Sequence, residues 1–235
     1  GAVKKFSPVK PEKLKKRVTL YIDEKQFAVP SVAINQARRE FFRLGEITSE
    51  MITLSCQALI SKNVTDAERV IQMEDEIVDA ITDELENFLM DLMEGDLSYF
   101  QQRRTFQVKS LLVDLERVGD MAEDIAQYAQ DRAMTEIPFS EEATKEFEML
   151  WRHVHNTYNQ SLIAFRDNDR SLAEKVCEVE SEFDTMYLEA RQRHIQRLEE
   201  GTCRARADVI FTETLRLLER ISDHADNLAV SVIRN

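Results

Sequence analysis

The sequence predicts an all-α protein made of two tandem antiparallel three-helix bundles, and three observations carry that expectation. Helix breakers are scarce, with 5 Gly and 4 Pro in 235 residues, while Leu, Met, Glu and Ala are abundant and long alternating strand patterns are largely missing. The segment Leu115-Glu116-Arg117-Val118-Gly119-Asp120-Met121-Ala122-Glu123-Asp124-Ile125-Ala126 returns as Leu218-Glu219-Arg220-Ile221-Ser222-Asp223-His224-Ala225-Asp226-Asn227-Leu228-Ala229. Further pairs repeat at a spacing of 106: Ala37 with Ala143, Glu40 with Glu146, Phe41 with Phe147, Leu44 with Leu150, Glu74 with Glu180, Glu76 with Glu182, and Gly95 with Gly201. The first segment is offset by 103, so the second copy is three residues shorter after Gly201. A connection between helices absorbs such a change at little cost.

The elements follow in order. Residues 1–30 read as a basic linker. A first helix runs over about 31–61, entered after Pro30. Thr65-x-x-Glu68 reads as a capping box that opens a second helix over about 65–94, closed by a left-handed Gly95. The third helix covers about 98–133. The second copy has helices over about 140–167, after Pro138-Phe139-Ser140, then about 171–200 between the Ser171-x-x-Glu174 box and Gly201, then about 204–234. The bundles thus span 31–134 and 135–235. Helices of about 30 residues depend on burying an apolar seam, and Leu111, Leu115, Val118, Ala122, Ile125 and Ala129 keep the required spacing. Small residues at Gly119, Ala122 and Ala126, matched by Ser222, Ala225 and Ala229, permit close helix approach; a merely tolerated Gly119 is the plainer alternative.

Charge and cysteine content narrow the function. A formal net charge of -13 repels phosphate backbones, so nucleic acid is excluded as a partner. The charge is uneven: residues 1–17 carry seven Lys and Arg against one Glu, which leaves 24 basic and 43 acidic residues in the remainder. Cys56, Cys177 and Cys203 are far apart and form neither a disulfide framework nor a thiolate zinc motif, as expected in a reducing cytosol. No apolar run approaches the roughly 18 to 20 residues that cross a bilayer. Gly1-Ala2 in place of an initiating Met points to a fragment of a longer chain.

The repeated segment aligns acids. A four-residue step turns a helix by only about 40°, so Glu116, Asp120 and Asp124 form a ridge, repeated as Glu219, Asp223 and Asn227. The ridge lies away from the apolar seam, and its like charges need a cation or Arg; Arg117 and Arg220 are near. A solvated face with Glu–Arg pairing is the plainer reading. Helix two offers partners in Asp75 with Asp79 and in Glu180 with Asp184, shifted by one residue against the repeat; Glu74 and Glu76 are substitutes. Carboxylate clusters suit divalent or trivalent metal ions, with iron, zinc, magnesium, manganese and calcium undistinguished. His224 is positioned to ligate or to pair with Asp223, a surface histidine with neither role being the plainer reading. Because Asp124 faces Asn227 and Met121 faces His224 across the repeat, the two ridges are expected to differ in charge. No Walker loop, G-x-S-x-G elbow, G-x-G-x-x-G turn or H-E-x-x-H pair exists, so no enzyme is expected; a metal-dependent hydrolase lacks a base.

The two segments L-E-R-V-G-D-M-A-E-D-I-A and L-E-R-I-S-D-H-A-D-N-L-A resemble the signature of the PhoU family, over roughly residues 31–234. That resemblance implies two three-helix bundles related by pseudo-two-fold symmetry, surface multinuclear metal sites in E(D)-x-x-x-D motifs with Glu116, Asp120, Glu219 and Asp223 as ligands, and a role in controlling phosphate uptake. Met121, Asp124 and Ser222 depart from the family pattern. Leu20-Tyr21-Ile22-Asp23-Glu24 followed by Val29-Pro30-Ser31-Val32-Ala33-Ile34-Asn35-Gln36-Ala37 resembles the start of the PhoU-like C-terminal tail of bacterial sodium/phosphate cotransporters. That implies a membrane transporter domain as partner, in the same polypeptide upstream of residue 1, and a location at the cytoplasmic face of the membrane. Lys4, Lys5, Lys10, Lys13, Lys15, Lys16 and Arg17 would then face anionic lipid, an ordinary basic linker being the alternative. A homodimer is a further expectation, and a metal-free helical scaffold or dimerisation module is the alternative function.

Overall fold

A computed structural model describes residues 17–201 and 205–234, so Lys4, Lys5, Lys10, Lys13, Lys15, Lys16 and Cys203 lie outside the described residues. The leading segment is held by two carboxylates. The amides of Val18 and Thr19 donate to Glu84 at 3.0 Å each, and those of Leu20 and Tyr21 donate to Glu40 Oε2 at 2.9 and 2.8 Å. Asp23 then caps a short 3-10 helix, Glu24–Ala28. Helix α1, Pro30–Ser61, starts with proline at its first position, where a missing N–H costs nothing and the fixed φ suits the helix.

The duplication reaches the backbone of the first turn. α1 ends at Lys62 with φ 59°, its N–H bonded to the Ala58 carbonyl; α5, Glu141–Asp167, ends at Asn168 with φ 53°, bonded to Ala164. The next residue is the cap in each copy: Asn63 accepts from the Thr65 and Asp66 amides to open α2, Val64–Met73, and Asp169 accepts from Leu172 to open α6, Arg170–Glu199. The capping boxes expected at Thr65 and Ser171 are therefore displaced, because a short amide or carboxylate directly after the left-handed residue reaches the free amides first. Gly201 has φ 71°, as a C-terminal glycine does, but Gly95 does not take positive φ; there α3, Asp79–Met93, runs out through Glu94, whose N–H bonds back into the last turn. The third helices are α4, Tyr99–Met134, opened by a Ser98/Gln101 capping box, and α7, Ala205–Ile233. Between α2 and α3 the chain makes a π-helical turn, Glu74–Val78, where the sequence predicts continuous α-helix.

α1, α2–α3 and α4 pack on one another, as do α5, α6 and α7, and the two groups join through α1 on α5 and α4 on α7. The seam expected on α4 is buried throughout, from Leu111 at 5% exposure to Ala129 at 1%. Phe41 and its repeat partner Phe147 are both fully buried, each contributing about 1.5–3 kcal/mol of apolar burial. Their neighbours in the repeat, Glu40 and Glu146, are buried too, with different partners: Glu40 bonds Arg43 and the leading segment, whereas Glu146 is paired with Arg193 and Arg197. Arg132 on α4 donates to the Leu59 and Ile60 carbonyls at the end of α1 and to Ile137 in the connection that follows. Among the described residues there is no strand, and no helix is long and apolar enough to cross a membrane.

The α1–α5 contact is close. Thr48 and Tyr158 share a buried 2.7 Å hydrogen bond, and Ser49 donates to Asn159 at 2.8 Å. A Cβ on Gly45 would run into the Leu162 side chain, so glycine sets how near the helices lie. Gly45→Val is expected to lower unfolding free energy by about 1–3 kcal/mol through overpacking, and Leu162→Ala in the same chain to return part of it. Urea denaturation of the single and double variants checks this.

Candidate metal centres on two acidic faces

The π-helical turn decides which acids of helix two face helix three. In that turn the Asp79 N–H reaches the Glu74 carbonyl, five residues back, so residues five apart stack as residues four apart do in an α-helix. Glu74 and Asp79 thereby occupy the places that Glu180 and Asp184 take on the uninterrupted α6. The one-residue shift in the repeat is this turn: Glu74 and Glu180 are 106 apart, whereas Asp79 and Asp184 are 105 apart. Gly119 of α4 lies against the turn, where a Cβ would come within 3.0 Å of Val78 Cγ1, so the close approach read from the small-residue pattern is made to the π turn itself.

On helix three the set facing helix two steps by four and then three. Glu116 feels Asp120 and Asp79, Glu123 feels Asp75 and Asp120, and Glu74 feels Asp79, Glu123, Asp120 and Asp75. The second half repeats this, with Glu180 among Asp184, Asp226, Asp223 and Glu219. The structure thus brings the expected Asp75, Asp79, Glu116 and Asp120 together on one face, and Glu180, Asp184, Glu219 and Asp223 on another. Asp124 stands at the edge of the first face, beside Asp120 and Glu123, and Asn227 points to Asp114. Eight residues rotate a helix by about 80°, against about 20° for seven, so these two turn toward the α4–α7 seam. Asp124 feels Asp120 first and then Arg220 and Arg216, and Asn227 donates to Asp114 at 2.8 Å. Their places are taken by Glu123 and Asp226, also 103 apart, so the signal that finds them is the repeat itself.

Side chains beside the acids are placed differently from expectation. His224 Nδ1 meets Asp114 Oδ1 at 2.8 Å and pairs with that residue, not with Asp223, while Met121 is buried in the core at 2% exposure. The difference between the faces therefore lies elsewhere. Cys177 stands where the first copy has Ile71, and Ser181 where it has Asp75. The Cys177 thiol, pushed up to about 12 by burial and by its hydrogen bond to Asp226, remains an S–H donor. Arg117 does pair with Asp120, at 3.1 Å and half-exposed, which is worth at most about 1 kcal/mol.

The acids are crowded and incompletely compensated. Burial first, then the neighbouring carboxylates, push Glu74 from the ordinary 4.5 to about 7, and the same causes push Glu180 to about 7. Glu219 and Asp223 are raised for like reasons, burial leading. Glu74 is only 5% exposed, and its Oε1 is buried without a hydrogen-bond partner. An orphaned carboxylate oxygen surrounded by others is a donor set that fits a hard cation. Among the described residues no three His, Cys, Asp or Glu side chains are drawn together as a closed ligand set, so a cation would have to gather them by side-chain rotation.

A duplicated three-helix unit with a carboxylate-rich face in each half defines a protein of two-bundle type. Its relatives agree in fold. The PhoU domain matches residues 41–129 and 148–232. A phosphate-specific transport system accessory protein PhoU homolog from Thermotoga maritima is 26% identical over 188 residues, 80% of each chain, and one from Clostridium acetobutylicum is 26% identical over 202 residues, 85% of this chain and 90% of that one. The crystal structure of PhoU from Pseudomonas aeruginosa superposes with a TM-score of 0.81 at 22% identity, covering 88% of this chain and 97% of the other; the regulatory protein PhoU from Streptococcus pneumoniae gives 0.78 at 19% identity, covering 87% and 95%. This chain belongs to the PhoU family.

A carboxyl whose pKa rises on folding binds more protons folded than unfolded between its two values, so stability falls as pH rises through that window. In chelator, without added cations, the protein is therefore expected to lose stability between pH 4.5 and about 7 as Glu74 and Glu180 ionise. Glu74→Gln with Glu180→Gln should flatten that slope and raise the melting temperature at pH 7.5. Thermal melts across pH check it; an unchanged slope contradicts the crowding described here.

Proposed function

We propose that this chain is a non-enzymatic regulator of phosphate transport whose two acidic faces hold metal ions, and that metal occupancy sets its contacts with the membrane part of a transporter. The observation that carries the metal reading is Glu74: a buried carboxylate with an unpartnered oxygen, facing Asp79, Glu123, Asp120 and Asp75; its counterpart Glu180, half-buried, is likewise crowded by four carboxylates in the other half. The transport reading rests on the family, whose curated relatives are described as accessory proteins of a phosphate-specific transport system.

The first face would hold a cation through Glu74, Asp79, Glu116, Asp120 and Glu123, and the second through Glu180, Asp184, Glu219, Asp223 and Asp226. Such a cation supplies positive charge where the chain has crowded negative charge, and bare carboxylates alone would repel phosphate. Oxygen donors favour magnesium, manganese, calcium or iron, while Cys177 beside Asp226 gives the second face a softer donor and hence a different metal preference. The finer reading, that the partner is the membrane domain of a sodium/phosphate cotransporter preceding this chain, rests on the Leu20–Ala37 resemblance and on the basic stretch before it. The leading segment is anchored through Glu84 and Glu40, so a pull on it would be felt in α3 and α1.

Elemental analysis of protein purified without chelators tests the metal reading. Stoichiometric metal is expected, lost in Asp120→Ala with Asp223→Ala while circular dichroism stays helical. A metal-free protein whose melting ignores added cations would sink it, leaving a helical scaffold or dimerisation module.

A further inference from the structure

Positive charge gathers at a place that shares no residue with the acidic faces. A cavity of about 430 Å³ opens between the leading segment, the first turns of α1 and the end of α5. Arg38, Arg39, Arg43 and Arg166 line it against one carboxylate, Glu46, in a chain whose net charge is -13. Three of the four are partly committed. Arg38 Nη2 donates to the Phe165 and Arg166 carbonyls at 2.9 and 3.3 Å, finishing α5; Arg43 bonds Glu40 and the Val18 carbonyl; Arg166 pairs with Asp167. Arg39 is different: it is exposed, and among the described residues it makes no hydrogen bond or ion pair, only a stack over the Tyr21 ring at 4.1 Å. Arg38 is half-buried, and burial together with Arg104 holds it below the ordinary arginine value, with no acid acting the other way.

Aromatic rings make the walls flat. Arg38 lies over Phe165 at 4.9 Å and Arg166 over Phe42 at 5.1 Å, so guanidinium planes repeat around the opening, and such planes stack on a further ring as readily as they fork around a phosphate. A single phosphate would leave most of a 430 Å³ cavity empty, whereas pockets of about 300–1,000 Å³ suit ligands of several rings' size. We propose that this cavity binds a nucleoside phosphate, with Arg39 and the uncommitted N–H groups of Arg38 and Arg43 on the phosphates and the base against the arginine-covered aromatic wall. Glu46 at the rim opposes the charge and turns the phosphates toward Arg39. The site is separate from the acidic faces and does not depend on metal there.

Calorimetric titration of the full chain with ATP in excess EDTA tests this, since chelation removes any metal bridge to the acids. Saturable binding of one ATP per chain is expected, weakened about tenfold or more by Arg39→Gln, a side chain that touches the rest of the fold through the Tyr21 stack and makes no hydrogen bond or ion pair among the described residues, and weakened less by Arg39→Lys, which keeps the charge and loses the flat face. Asp120→Ala with Asp223→Ala should bind ATP as the parent does, so failure of the metal reading and failure of this one give different results. No saturable ATP binding, or binding indifferent to Arg39→Gln, overturns the proposal. Pyrophosphate binding as tightly as ATP overturns it, because the base would then have no place. Arg39-dependent sedimentation with phosphatidylglycerol vesicles without ATP binding overturns it in favour of a lipid surface.

Discussion

Repulsion among carboxylates along the seam between the second and third helices is the constraint on which the rest of the structure turns. In each half the acids of the two helices face one another, and one glutamate of helix two, Glu74 or Glu180, is lifted to about 7 by burial and by its neighbours. The apolar seam on the opposite side of α4 and α7 must hold the helices together against this. Ala122 and Ala126 on α4 and Ala225 and Ala229 on α7 are buried and bring backbones close, and Gly119 admits Val78 of the π turn. Core packing and charge crowding thus meet at the same pair of helices.

The π turn is the local device that keeps the two halves equivalent. An α-helix through Glu74–Val78 would rotate everything after it by about 100° relative to the second copy and carry Asp79 off the face. Widening one turn absorbs the additional residue and returns the register. It costs regular hydrogen bonding over Glu74–Val78, and such turns recur at functional sites in α-helices. That the turn lies at Glu74, the most buried acid of the face, ties the irregularity to the site and not to the connections.

Much of this was legible in the sequence. Few glycines, a duplicated segment and a spaced apolar seam yielded the six long helices within a few residues of their ends, and the Leu-Glu-Arg repeat located the third helix of each half. What escaped had physical causes. The Lys62–Asn63 and Asn168–Asp169 turns share backbone geometry but not residue types, so Thr65 and Ser171 looked like better caps. A π turn leaves no sequence signature of its own; only the one-residue slip between Asp79 and Asp184 betrayed it. The four-residue step that aligns Asp124 and Asn227 drifts over two turns toward Arg220 and Asp114, while the seven-residue step from Glu116 and Glu219 keeps Glu123 and Asp226, alike in charge between the copies, on the face. The arginine cavity draws on Tyr21, α1 and the end of α5, segments far apart in the chain, and no local spacing points to it.

If the crowded acids are built to receive cations, metal must displace protons from them. Calorimetric titration with manganese at pH 6 in two buffers of different ionisation enthalpy counts those protons. The account predicts net proton release as metal binds, abolished in Glu74→Gln with Glu180→Gln. Metal binding with no proton release, or release unchanged in that variant, would contradict it.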